Sequence, residues 1–189
     1  MIHFRPRLLS AVLSLALPLA AASCTEPLTP PSPGPLLFEV EAINFAWGRH
    51  WSGFVIDAEG QVYAYDLSST DLTPPQGDQF TAAELEAKYA HARRLVTSVS
   101  ATEAASRYGR VGAVLSGGIT PPQSACFDAG SVRYSALIYD ESTGAYRRLL
   151  LREVGDLARA NTSPAAAELY HWLRDVVGNS VSGCDPFDQ

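Results

Sequence analysis

Five prolines fall within nine residues, at positions 27, 30, 31, 33 and 35, and they decide where this chain can begin to fold. Each proline fixes φ and removes an amide donor, so neither a helix nor a central strand runs through Thr25 to Pro35. The expected conformer is polyproline II, which rises about 3.1 Å per residue and makes this stretch a spacer of roughly 30 Å. Whatever packs into a core must therefore lie between Leu36 and Gln189. Hydrophobic residues make up 47% of the chain and charged residues 18%, a globular composition with enough apolar material for one core.

The residues before the spacer read as an address. Arg5 and Arg7 precede an apolar run from Leu8 to Leu19, and Ala20-Ala21-Ala22-Ser23-Cys24 follows. A basic start, an apolar centre and small residues at the end form a secretory signal. The run is shorter than the roughly 20 residues that span a bilayer. Ala21-Ala22-Ser23-Cys24 resembles the lipobox of bacterial lipoproteins, with Ala21 where that family prefers Leu. The resemblance implies cleavage before Cys24 and acylation of Cys24. Multiple acyl chains would give stable membrane anchoring. Thr25 stands where an inner-membrane retention Asp would be, so the resemblance implies the outer membrane. The expected organisation is a signal peptide over 1–23, a lipidated cysteine and tether over 24–35, and one globular domain over 36–189.

Net charge is −6, and removal of the signal takes away two arginines and no acid. Nucleic acid is therefore not an expected partner, because phosphate neutralisation needs clustered basic residues. Lys88 is the only lysine among 14 basic residues, a skew that reads as GC-rich coding. With Cys24 acylated, Cys126 and Cys184 remain, and an oxidising compartment predicts their disulfide.

Within the domain, Phe38, Val40 and Ala42 alternate with Glu39 and Glu41, which predicts a strand with one solvated face. Ile43 and Phe45 take the opposite parity, which predicts a bulge or a change in what covers the strand. Strands are expected over 51–56 and 61–66, around the Asp57–Gly60 turn, and over 132–140 and 145–154, around Glu141–Gly144. Thr81 and Glu84 form a capping box for a helix running to about Ser98, with Glu84 and Lys88 on its solvated side. A second helical stretch covers about 102–108, and Val111 to Leu115 fits either a strand or a helix end. Ser163 and Pro164 start a final helix that Gly178 stops. The order of elements predicts an α+β domain: a two-layer arrangement, an antiparallel sheet of about five strands with two or three helices on one face.

No catalytic signature stands out: G-x-S-x-G, P-loop, G-x-G-x-x-G and H-E-x-x-H spacings are all missing from the sequence. No catalytic residues, metal ligands or cofactors are assigned. Trp47-Gly48-Arg49-His50-Trp51 is the most unusual stretch, and Arg49, His50 and Trp51 are the candidate binding residues, with Trp47 expected to be structural. The functional expectation is a membrane-anchored, non-catalytic binding or structural module that meets a protein or envelope polymer. The alternative is an envelope hydrolase of unrecognised type, signalled by Arg49, His50 and an acid such as Asp57 converging in a pocket.

Overall fold

A computed structural model describes residues 34–75, 77–90, 93–178 and 184–187. Cys24, the signal and nearly all of the tether lie outside the described residues, as does His91. The described chain is an α+β domain built on a nine-stranded sheet, larger than the five strands expected. Every pairing is antiparallel.

The strands are β1 (Leu36–Asn44), β2 (His50–Asp57), β3 (Gln61–Asp66), β4 (Gln79–Thr81), β5 (Arg94–Ser98), β6 (Gln123–Ser124), β7 (Ser131–Asp140), β8 (Ala145–Gly155) and β9 (Leu157–Ala160). The helices are α1 (Ala82–Tyr89), α2 (Ala101–Tyr108), the single turn α3 (Val111–Val114) and α4 (Pro164–Val177). The sheet runs β5-β3-β2-β1-β7-β8-β9-β6, with β4 also on β8. The two expected hairpins, β2–β3 and β7–β8, are present. Gly60 closes the first at φ +79°, and Val99 O approaches so closely that a Cβ there would clash. Glycine alone meets both demands.

Of the extra strands, β5 comes from a segment read as helix, and β4, β6 and β9 from segments given no strand in the sequence reading. The capping box is formed, with Thr81 Oγ1 accepting from Glu84 N at 3.1 Å and Glu84 Oε2 accepting from Thr81 N at 2.7 Å. The helix nevertheless ends at Tyr89, and Arg94–Ser98 turns into β5 on the edge of β3. Leu95, Val96 and Thr97 favour extended backbone, and an open strand edge offers their amides partners. Val111–Val114 settles as a helical turn. At the last helix Ser163 Oγ accepts from Ala166 N at 3.1 Å and Pro164 occupies the first turn, as expected.

Alternation in β1 divides the molecule into two cores. Phe38 and Val40 face a cluster with Ile56, Tyr134, Ala136 and Leu151, covered by Ala104 and Tyr108 of α2, Val111 and Val114 of α3, and Leu169, Trp172 and Leu173 of α4. Phe38 meets Tyr108 and Trp172 edge-on, at 5.9 and 5.1 Å between ring centres. On the other face Trp51, Val55, Tyr65, Phe80, Leu137 and Tyr146 pack with Leu85 and Tyr89 of α1. The helices thus divide between the two faces instead of sharing one. This corrects the reading of Glu39 and Glu41, which are each 1% exposed and lie under α1. It also removes the need for a bulge at Ile43, which joins the face of Glu39 and Glu41 in regular register.

Cys126 and Cys184 form the expected disulfide, with Cα atoms 5.7 Å apart. Residues beyond it are held as well: Asp185 accepts from Arg152 Nη1 at 2.7 Å and from the Tyr170 hydroxyl at 2.8 Å. Closing a loop of 58 positions predicts a loss on the order of 4 kcal/mol or less on reduction. Thiol labelling of the unfolded, unreduced chain should find neither Cys126 nor Cys184 reactive, and a urea titration with and without reductant should show the loss.

Candidate functional site

The α1-covered face of the sheet carries a row of charge. Reading across neighbouring strands, Tyr65, Gly53, Glu41, Arg133, Glu153 and Arg159 stand opposite one another in register. Charges alternate in sign from Glu41 to Arg159, the arrangement that directly opposed side chains favour. Glu153 accepts from Arg133 Nε at 3.1 Å, Arg159 Nε at 2.7 Å and Ser131 Oγ at 2.6 Å. Burial pushes the Glu153 carboxyl up, but these hydrogen bonds outweigh it and hold the group below its ordinary range.

Beside this row lies a buried tetrad. Lys88 Nζ, from α1, sits 2.5 Å from both Glu39 Oε1 and Glu41 Oε1. Arg148 Nη2, from β8, sits 2.8 Å from Glu39 Oε2 and 3.2 Å from Glu41 Oε2. All four residues are at most 4% exposed. Tyr65 and Tyr89 hydroxyls donate to Glu39 Oε1 at 2.9 and 2.7 Å, and Trp51 Nε1 donates to Glu41 Oε1 at 3.0 Å. The rings of Trp51, Tyr65 and Tyr89 surround the Lys88 ammonium at 5.2 to 5.5 Å. Gly53 makes this closure possible, because the Tyr65 hydroxyl occupies the space a Cβ would need.

Burial drives the Glu39 carboxyl upward, yet Lys88 and Arg148, helped by hydrogen bonds from Lys88 and Tyr89, hold it far below the ordinary carboxylate range. Burial lowers the Arg148 guanidinium, and Glu39 and Glu41 reverse this to a net rise. Burial and the neighbouring Glu39 raise both the Tyr65 and Tyr89 hydroxyls well above their usual values. Glu39 and Arg148 therefore keep their charges, and both tyrosines remain proton donors.

Not every polar atom on this face finds a partner. Arg148 commits Nη2 to the glutamates, while its Nε and Nη1 have no hydrogen-bond partner among the described residues, and the Phe80 ring centre lies 4.8 Å from the guanidinium carbon. Ser135 Oγ is likewise buried without a partner. Ser135 opposes Leu150, two residues from Arg148 on the same face of β8.

A cleft of about 620 Å³ opens over this part of the sheet. Arg133, Arg148 and Arg159 line it with Asp78, while Ile43, Phe45, Leu150 and Ile119 supply apolar wall. Its size falls within the range of roughly 300–1,000 Å³ typical of small-molecule sites. A second cavity of about 250 Å³ reaches Lys88 and Trp51. Thr73 and Pro75 line both cavities.

The Trp47–Trp51 stretch is arranged differently from its expected form. Trp51 is 1% exposed and part of the tetrad's wall, so it is not a surface binding residue, whereas Trp47 is 76% exposed. Ile43 pairs with Trp51 in register, and this parity turns the Trp51 ring beneath α1. Arg49 donates to Leu72 O and lies over the Phe45 ring at 5.3 Å, tying the β1–β2 turn to the segment beside the cleft. His50 is exposed at the start of β2, and Asp57 is at the opposite end of that strand, so Arg49, His50 and Asp57 do not converge. Lys88, expected on the solvated side of α1, is buried.

Glu39, Glu41, Lys88, Arg148, Arg133 and Arg159 were not among the candidates. One pointer is present in the sequence: a solitary lysine on a helix beside a strand that alternates glutamates with apolar residues. Among the described residues no group of three His, Cys, Asp or Glu side chains is placed to hold a metal ion. Comparisons of the chain with protein-family models, curated proteins and solved structures found no match.

Removing one member of a buried ion network leaves an uncompensated charge, at a cost of about 3–5 kcal/mol. Lys88→Met should therefore lose about that much stability in urea unfolding. Glu39 and Glu153 sit below their ordinary value of 4.5, so their stabilisation is complete above about pH 4.5 and is lost as pH falls toward their folded values. A urea midpoint that stays flat between pH 6 and pH 3 (roughly the window set by that linkage) would contradict the assignment.

Proposed function

We propose that this chain is a lipid-anchored, non-catalytic binding module of the bacterial cell envelope, with the cleft over β7 and β8 as its ligand site. The observation that carries the reading is that cleft, because it joins three arginines to an apolar wall in a volume fit for a small ligand or the end of a larger one. Its floor is a paired sheet whose side chains are held in place by the charged row, which suits recognition by a preorganised surface. The lipobox-like Ala21-Ala22-Ser23-Cys24 supports the anchor, and the proline-rich residues that follow support a spacer between membrane and domain. On this reading the partner is a component of the envelope, a protein or polymer, that presents a negatively charged group.

The test uses the full-length protein purified from its own envelope. Native mass spectrometry should find a bound component that leaves on denaturation chemically unchanged. The same component should be reduced about tenfold in Arg159→Gln, the loss expected when one charge-assisted hydrogen bond is removed. Cys24→Ala should shift the protein out of the membrane fraction. Recovery of cleaved products in place of an intact ligand would overturn the non-catalytic reading, and a cleaved Cys24→Ala protein still held in the membrane would overturn the anchor.

A further inference from the structure

The unpartnered atoms beneath the cleft specify more than a cavity. Arg148 is 4% exposed, yet among the described residues Nε and Nη1 have no acceptor, and the buried Ser135 Oγ, on the neighbouring strand, also lacks a partner there. A buried polar group left unpaired destabilises the fold, and more so when it is charged. Such groups in a folded protein call for a missing partner, a water or a ligand. These groups share the face on which Arg133 and Arg159 line the same cleft.

The acids that balance these arginines are set to one side of the cleft. Glu39 and Glu41 take Arg148 through Nη2, and Glu153 takes Arg133 and Arg159. None of the three acids lines the cleft, where Asp78 is the lining carboxylate. A cavity that presents arginine donors, with its counter-charges out of the lining, favours an acceptor-only group with several oxygens. Ile43, Phe45, Leu150 and Ile119 then require that this group be attached to something apolar.

Resting on the binding-module reading, we propose that the cleft takes an oxyanion, a carboxylate or a phosphate, carried on an apolar body. The oxyanion accepts from Arg133 and Arg159 at the cleft wall and from the unused Arg148 donors at its base. The apolar body lies against Ile43, Phe45 and Leu150. Arginine supplies the geometry such a group needs, because its planar donors match carboxylate and phosphate oxygens. The tetrad has a defined part in this: it uses one Arg148 nitrogen to fix the guanidinium and leaves the rest for ligand.

The experiment is calorimetric titration of the full-length protein with four probes: acetate, octanoate, inorganic phosphate and octyl phosphate. Arginine Nε–H resonances are followed in parallel by NMR. Octanoate, octyl phosphate or both should bind at least about tenfold more tightly than the matching short anion, since each buried methylene adds about 0.8 kcal/mol. The arm that binds identifies carboxylate or phosphate as the source. A buried arginine Nε–H resonance, absent in Arg148→Lys, should shift on saturation. Arg148→Met is the obvious variant, but it strips the glutamates of a partner and is expected to unfold. Arg159→Gln removes a partly exposed partner of Glu153, so a thermal melt is run in parallel, and binding should weaken about tenfold at a temperature where that melt shows the variant folded. Absence of saturable binding by all four probes would overturn the proposal, as would binding unchanged in Arg159→Gln, since water alone would then satisfy the buried donors. An intact envelope component retained by a protein that binds none of the four probes would sink this inference and leave the binding module standing. Octanoate binding with no retained envelope component would do the reverse.

Discussion

Two glutamates on one central strand cannot be placed under a helix unless cations come with them. Taking Glu39 and Glu41 out of water costs several kcal/mol for each charge, and only close pairing with further hydrogen bonds offsets it. Lys88 and Arg148 supply the pairing, and Tyr65, Tyr89 and Trp51 take the remaining lone pairs. This requirement ties together parts of the chain far apart in sequence. It fixes α1 over β1 through Lys88, aligns β8 through Arg148, and places the β2–β1 register so that Gly53 leaves room for Tyr65. The apolar side chains on this face, among them Val55, Phe80 and Leu85, hold the layers together as well, but alone they would tolerate a shifted helix. A four-charge network with directed donors tolerates little displacement.

The same network gives the cleft its character. Arg148 is anchored by one nitrogen, and its Nε and Nη1 have no hydrogen-bond partner among the described residues. The row from Glu41 to Arg159 repeats the theme with partly exposed arginines, whose carboxylate partner Glu153 is buried on the sheet. One set of charges thus stands in two tiers, buried beneath α1 and open at the cleft. The opposite face works by other means. There Phe38, Tyr108, Trp172 and the apolar stripe of α4 pack as an ordinary hydrophobic core.

Local signals in the sequence were legible where the physics is local. The hairpin at Gly60, the caps at Thr81 and Ser163 and the Cys126–Cys184 bond all depend on near neighbours or on a small inventory of cysteines, and they stand as expected. The α+β class followed from the order of these elements. Burial of Glu39 and Glu41 was not legible, because a strand alternating acidic and apolar residues looks the same whether its polar side meets water or meets cations from Lys88 and Arg148. That distinction is made 49 and 109 positions away. The end of α1 at Tyr89 was missed for a related reason: the open edge of β3, not the local pattern, claims Leu95 to Thr97. Trp51 is turned inward by strand parity, set by its register with Ile43, whereas Trp47 lies in the turn outside both strands and is exposed.

The account stands on strong coupling between Glu39 and Lys88, and a double-mutant cycle measures that directly. Urea unfolding at neutral pH of wild type, Glu39→Gln, Lys88→Met and the double variant gives the interaction free energy. A buried, hydrogen-bonded pair predicts a double variant more stable than the sum of the single losses allows, by about 1.5–3 kcal/mol. Additivity within about 0.3–0.5 kcal/mol, the behaviour of independent sites, would contradict it and with it the ordering of the sheet around a buried tetrad.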